Sequence, residues 1–322
     1  MAVVASPSAG SMAGAVWALA SVFAFSTNDM LIKVLSGDYA LHQIILIRSL
    51  IGMVVVLAVI LPLSGGLGSV RTSRLGLHLL RGFAVVLSNL FFFMALAAMP
   101  LAEAVAIFFV CPLLISVASV VFLGETVGPR RWGAIGLGLV GVGIVLRPGS
   151  EAFQAASLLP LLAAVCYAAM HTLTRKIGAT DGAGALIFYI QISFIVTSAA
   201  VGLVAGHGGW AGSGDPSLEF LLRAWVVPEW RDLAIMAFLG CASAAGGYAI
   251  GQAYRLSEAA LVAPIEYVAI PMSVFWGWLI FAELPDAVAF GGIALILTAG
   301  LILVWRETMA RRVPVSPPPR AR

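Results

Sequence analysis

Residues Ser257–Glu283 read SEAALVAPIEYVAIPMSVFWGWLIFAE. The run is long enough to cross a bilayer, because about 20 residues at helical rise span the ~30 Å hydrocarbon core. Yet it carries a carboxylate, Glu266, and two prolines, Pro264 and Pro271, well inside its length. A charge at that depth costs at least a few kcal/mol in lipid, so it faces a cavity or a partner. The prolines free backbone groups that other helices or water must satisfy. A segment that spans, breaks and buries a charge does more than anchor.

Composition agrees. Of 322 residues 61% are hydrophobic and 10% charged, against roughly 25% charged in a soluble protein. Apolar stretches of spanning length fall at 13–35, 40–63, 80–99, 102–123, 130–147, 155–174, 183–205, 231–254, 258–282 and 286–305. The expected fold is therefore an all-α integral membrane protein with ten transmembrane helices. Met1–Ser11 is uncharged and the first apolar run is too long for a signal-peptide core, so no cleaved leader is expected. Cys111, Cys166 and Cys241 lie far apart in apolar runs without histidines at ligand spacing. Buried structural thiols are expected there, with no metal, disulfide or cofactor.

Of the 18 basic residues, Lys33, Arg147, Arg223 and Arg231 fall on one side of the membrane. Arg48 lies inside a span, and the rest fall on the other side. That asymmetry puts both termini in the cytoplasm, with short tails at 1–12 and 306–322. The longest connection, 206–230, then faces outward with Trp210, Trp225 and Trp230 suited to the membrane interface.

The chain also repeats itself. Ala20–Ala40, ASVFAFSTNDMLIKVLSGDYA, aligns without a gap on Ala163–Ala183, AAVCYAAMHTLTRKIGATDGA, pairing Lys33 with Lys176 and Asp38 with Asp181. Leu101, Glu103 and Ala104 match Leu256, Glu258 and Ala259; Pro112 matches Pro271 and Arg147 matches Arg306. The repeats are 13–147 and 155–305. Each holds five spans, an odd number, so the second copy lies inverted relative to the first. Inverted repeats meeting at mid-membrane are the architecture of secondary transporters.

At this point the sequence resembles a known family. The five-plus-five plan, the pattern Ala102–Glu103–Ala104, Pro112, Gly124–Glu125 in the fourth span, and its echo in the ninth resemble the EamA branch of the drug/metabolite transporter superfamily. The segment Ser26–Thr27–Asn28–Asp29 with Lys33 is similar to S-adenosylmethionine-uptake members and related riboflavin-uptake members. The resemblance implies a dimerisation-capable carrier of the bacterial inner membrane that alternates access around a central cavity.

Polar residues inside the spans are few. Asn28 and Asp29 lie deep in the first span, and Asp29 precedes Lys33 by one turn. They either line the cavity or, for Asp29, pair locally with Lys33. Arg48 in the second span either pairs with a carboxylate or helix-end carbonyls, or binds an anionic group of the substrate; Glu266 is one candidate partner. Gln191 stands at the repeat position of Arg48, so the charges are not symmetric although the scaffold is. Asn89, Phe92, Phe108, Tyr189 and Tyr267 complete the expected substrate-binding set, the aromatics offering stacking or cation–π contact. Glu266 and His171, which matches Asn28, are candidate proton-coupling groups. Pro112 and Pro271 are candidate hinges.

Three other classes are disfavoured. Gly136–Leu137–Gly138–Leu139–Val140–Gly141 spells G-x-G-x-x-G but lies inside an apolar run, without the strand and acidic residue that dinucleotide binding needs. Neither Lys33 nor Lys176 follows the glycine of a P-loop, so a gradient or exchange, not an ATPase subunit, is the expected drive. No HExxH or GxSxG constellation is present, and the basic clusters are orientation signals rather than nucleic-acid patches. The reading is a non-enzymatic secondary transporter of a small amphipathic, cationic or zwitterionic metabolite. S-adenosylmethionine-like, riboflavin, amino-acid and drug substrates compete within that class. Membrane lipid and a second copy of the chain are the expected partners.

Overall fold

The computed structural model describes residues 9–63, 66–124, 128–149, 154–177 and 183–311. Among them every regular element is helical. α1 (Ala9–Leu35) turns into α2 (Leu41–Val55), which runs on through a wide π turn, Val56–Ile60, to Leu63. α3 (Leu75–Ala98) returns. The fourth span is two helices, α4 (Leu101–Phe108) and α5 (Cys111–Leu123), and the fifth is α6 (Pro129–Leu146). α7 (Leu158–Ile177) and α8 (Ala183–Ala205) follow, then short α9 (Pro216–Leu222) and long α10 (Trp230–Leu256). The ninth span is again two helices, α11 (Ala259–Glu266) and α12 (Ala269–Phe281), and α13 (Ala287–Arg311) closes the chain. Glu125 and Asp181, and residues 1–8 and 312–322 of the tails, lie outside the described residues.

Hydrocarbon cannot hydrogen-bond a backbone, so a spanning segment satisfies its own N–H and C=O groups by coiling. The helices are apolar on both faces for the same reason. α12 buries Ile270, Ser273 and Gly277 inward while Phe275, Trp278, Leu279 and Ile280 remain exposed. Outside a bilayer such a surface would be a liability; against lipid it is neutral. Nine of the described helical segments are long and apolar enough to cross a membrane. The tenth expected span, α6, is a helix of 18 residues, but it carries Arg130 and Arg131 in its first turn and five glycines. Its average apolarity is accordingly lower.

Packing follows one rule. α1 lies on α10 and α3 on α7; α2 lies on α8; α6 lies on α13. α11 and α12 pack on α1, as α4 and α5 pack on α7. Exchanging first-half spans for second-half spans leaves this pattern unchanged. The broken spans match in length as well: 8 residues in α4 and α11, 13 in α5 and α12. Each break falls just ahead of its proline, Pro112 or Pro271, near the start of a helix, where a missing N–H costs little. α5 and α12 both end on a left-handed residue, Gly124 (φ 68°) and Ala282 (φ 52°).

The long connection is structured where a plain loop was expected. Asp215 caps α9 by accepting from the Leu218 amide at 3.0 Å. Phe220 is fully buried, and the Ser217 hydroxyl donates to the Met94 carbonyl at 2.9 Å. The connection is thereby docked over the end of the bundle that carries Lys33.

α6 and α13 meet through small residues. A Cβ on Gly141 would lie 2.9 Å from both the Gly292 carbonyl oxygen and Ile296 Cγ1, whereas one on Gly143 would meet nothing within 4 Å. Overpacking costs about 1–3 kcal/mol, while alanine in a helix gains ~1 kcal/mol over glycine. Gly141→Ala is therefore expected to lower the melting temperature of the detergent-purified protein, and Gly143→Ala to leave it unchanged or raise it. Equal effects at the two positions would refute this packing account.

Candidate functional site

A deep polar cluster lies where α1, α2 and α10 meet. Asn28 is seven residues from the end of α1 and Arg48 seven from the start of α2. At 1.5 Å per residue both sit roughly 10 Å in from the same end of the bundle. The shared turn, Ser36–Ala40, puts them at one depth. Arg48 Nη1 donates to Asn28 Oδ1 at 3.4 Å, and the same oxygen accepts from the Ser243 hydroxyl of α10 at 3.2 Å. Asn28 Nδ2 donates to Asp29 Oδ1 at 3.2 Å. The Arg48 guanidinium lies over two rings, Phe93 at 5.5 Å and Phe194 at 5.4 Å. It is 6% exposed. Close helix approach makes this possible: Gly240 of α10 faces the Arg48 carbonyl oxygen, and Gln191 of α8 covers Gly52, one turn beyond Arg48.

Glu266 belongs to a second cluster. It ends α11, seven residues from the opposite end of the bundle, so along the membrane normal it is separated from Arg48 by roughly 10 Å of a 30 Å core. Its carboxylate accepts a hydrogen bond from Tyr254 and lies in electrostatic reach of Cys111 and Tyr167. Arg81 of α3 stands on the same side, donating through Nε to the Thr174 hydroxyl at 2.7 Å and through Nη1 to the Leu186 carbonyl at 3.0 Å. Rings connect the clusters: Phe93 to Phe92 at 5.8 Å, Phe92 to Phe108 at 4.9 Å, Phe108 to Tyr167 at 5.3 Å, and Tyr167 to His171 at 4.5 Å.

The sequence-derived candidates therefore divide. Asn28, Asp29 and Arg48 come together in the first cluster, with Gln191 one turn away over Gly52. Phe92 and Phe108 lie on the ladder, with His171 at its far end. Glu266 does not pair with Arg48, whose partner is Asn28, because the two sit at different depths. Asp29 does not pair with Lys33; Lys33 turns outward to Glu283 at 2.7 Å. Asn89 spends its amide on its own helix, donating to the Val85 carbonyl at 3.1 Å. Tyr189 lies at the far end, its hydroxyl donating to the Val70 carbonyl at 3.1 Å and its ring on His78. Tyr267 packs against Phe109 and fills the space left by Gly300 on α13. Missing from the sequence reading are Ser243, Phe194, Tyr254, Tyr167 and Glu283. Ser243 had a signal: it matches Ser88 at the same 155-residue spacing that relates Leu101 to Leu256. Glu283 had one too, as the ninth-span echo of Glu125; Phe194, Tyr254 and Tyr167 had none, because they are reached only across helices.

Residues 12–147 match the EamA-like transporter family. That match ends at Arg147, the residue that terminates α6. Over 305 residues the chain is 28% identical to the riboflavin transporter of Vibrio cholerae serotype O1, covering 93% of this chain and 95% of the relative. Over 294 residues it is 26% identical to the S-adenosylmethionine uptake transporter of Rickettsia bellii, covering 91% and 94%. A solved crystal structure of a 20% identical protein superposes over 95% of this chain and 99% of its own, with a TM-score of 0.59, which shows a shared fold. The EamA family and these relatives are named transporters, not enzymes. Among the described residues nine helical segments are long and apolar enough to cross a membrane, as a multi-pass protein requires.

Outside the spans, Asp286 pairs with Arg147 and accepts from the Ala289 amide at 2.8 Å. The Arg147 hydrogen bond, then that amide, hold its carboxyl down at about 2. An unfolded aspartate titrates near ~3.9. The depressed group therefore contributes stability that is complete above ~3.9 and is lost as pH falls towards 2. The melting-temperature gap between the native chain and Asp286→Asn is expected to be constant above pH ~5 and to close on acidification. A gap that widens in acid would contradict this linkage.

Proposed function

We propose that the chain is a secondary transporter. It carries a small amphipathic metabolite across the bacterial inner membrane by alternating access between two inverted five-helix repeats, 13–147 and 155–305, with both termini in the cytoplasm. The observation that carries this reading is Arg48: a guanidinium has five donors, and among the described residues this buried one has a single long hydrogen bond, to Asn28, between two aromatic faces. Such a group is prepared for an acceptor that is not part of the chain. A substrate carboxylate would meet Arg48, its cationic group would lie near Asp29, and its ring would rest on Phe93 and Phe92. A zwitterion of the S-adenosylmethionine kind fits these three contacts. A second reading, riboflavin, is favoured by the Vibrio cholerae relative; there Arg48 would meet ring carbonyls instead. The exchange-symmetric packing and the matched breaks at Pro112 and Pro271 support alternation about those breaks. The lipid-facing sides of α6 and α13 leave room for a second copy of the chain.

The first test is thermal stability against a metabolite panel. A ligand at ~100 times its Kd stabilises by about 2.7 kcal/mol, which is readable as a melting shift. S-adenosylmethionine is expected to give that shift, and Arg48→Gln or Asp29→Asn to abolish it. A shift with riboflavin alone would select the second reading. No shift with either would refute the substrate class.

Glu266, faced by Tyr254, Cys111 and Tyr167, is the carboxylate proposed to couple transport to protons. Flux into proteoliposomes should lose its pH dependence in Glu266→Gln. Retention of the native pH profile would remove Glu266 from the coupling step.

A further inference from the structure

The Lys33 end of the bundle is closed by a concentrated set of contacts between the two halves. Lys33 Nζ pairs with Glu283 Oε2 at 2.7 Å and Oε1 at 2.9 Å, and also donates to the Met99 carbonyl at 2.9 Å. It lies 4.9 Å from the centre of the Phe281 ring. Glu283 Oε2 also accepts from the Leu101 amide, at 3.4 Å. One ion pair thus joins the end of α1, the break between α3 and α4, and the segment after α12. The Lys33 side chain is 10% exposed and that of Glu283 33%, so the lysine is the more enclosed partner. Next to it is a small polar cavity of about 190 Å³, lined by Met99, whose carbonyl Lys33 holds, and by Glu103, Arg147, Gln154, Ser157 and Asp286 among others. One helical turn further into α1 is Asp29.

We infer that the Lys33–Glu283 pair is a latch that separates the polar cavity at this end from the Asn28–Arg48 cluster, and that it parts whenever solute enters or leaves by this end. The inference rests on the alternating-access reading for its purpose, not for its geometry. Two features suit Glu283 to the part. It follows Ala282, a non-glycine residue held at φ 52°, where a side chain is disfavoured and relaxation gains free energy. Its backbone amide is tied only to the preceding helix, through the Gly277 carbonyl at 3.0 Å, so the segment can swing with α12. Removing either charge leaves the other half-buried without its counter-ion, which favours the parted arrangement, where water can reach it.

The test reads access rather than transport. Cys111, Cys166 and Cys241 are replaced by alanine or serine, and Ser243→Cys is introduced beside Asn28 as a reporter. A membrane-impermeant methanethiosulfonate is applied separately to spheroplasts and to inverted membrane vesicles, so each face is probed. With the latch intact, the reporter is expected to be protected from the face bearing the Lys33 end. Lys33→Met and Glu283→Gln should each raise labelling from that face alone by about tenfold, a shift of ~1.4 kcal/mol in the closed–open equilibrium. Asp286→Asn, which breaks the more exposed neighbouring ion pair, should leave it unchanged. Glu283→Gln preserves shape and carries the test if Lys33→Met fails to fold. Unchanged labelling in the latch variants, or an equal rise in Asp286→Asn, would overturn the latch. No substrate is used, so a wrong substrate assignment leaves this result standing.

Discussion

Hydrocarbon offers no partner to a peptide N–H or to a charge, and the structure of this chain is organised by that deficit. It forces every spanning segment to coil, leaves large apolar side chains on the outer surface at no cost, and turns each polar group inward. It also explains why two spans can afford to break. α4–α5 and α11–α12 are interrupted where neighbouring helices pack on them, α7 on one and α1 on the other. The breaks are where a helix can bend without unfolding, and their matched lengths place them at equivalent points of the two halves.

Depth, set by helical rise, then sorts the charges. Asn28, Asp29 and Arg48 share a level because α1 and α2 are joined by a short turn and each residue is six or seven positions from the helix end beside it. Glu266 approaches from the other end and stops at a different level. The result is two polar clusters of different character: an arginine between aromatic faces, and a carboxylate with tyrosines about it. The ring series from Phe93 through Phe92, Phe108 and Tyr167 bridges them with surface that is apolar yet able to stack, which suits the passage of a flat molecule better than an aliphatic wall would.

The small residues have a complementary role. Gly141, Gly138 and Gly292 bring α6 and α13 together, Gly240 brings α10 onto α2 at the level of Arg48, and Gly300 admits the Tyr267 ring. Where a membrane supplies little hydrophobic drive between helices, close contact has to provide the attraction. The glycines of the fifth span are thus partly spent within the chain, while Gly136 and Gly143 face open space.

Sequence alone determined that this chain is built of membrane-length apolar segments and that few polar residues lie inside them. Those conclusions rest on properties each residue carries by itself: apolarity, charge and position along a helix. Asn28, Asp29 and Arg48 were legible for that reason, as were the prolines beside the breaks. Partner choice was not. Lys33 reaches Glu283, 250 residues away, in preference to Asp29 one turn behind it; Asn89 turns back on Val85; Tyr189 bonds at the far end. Only the tertiary structure decides these, because which groups meet in a helical bundle depends on the rotation and depth of each helix against its neighbours, and a ladder of internally bonded helices records neither.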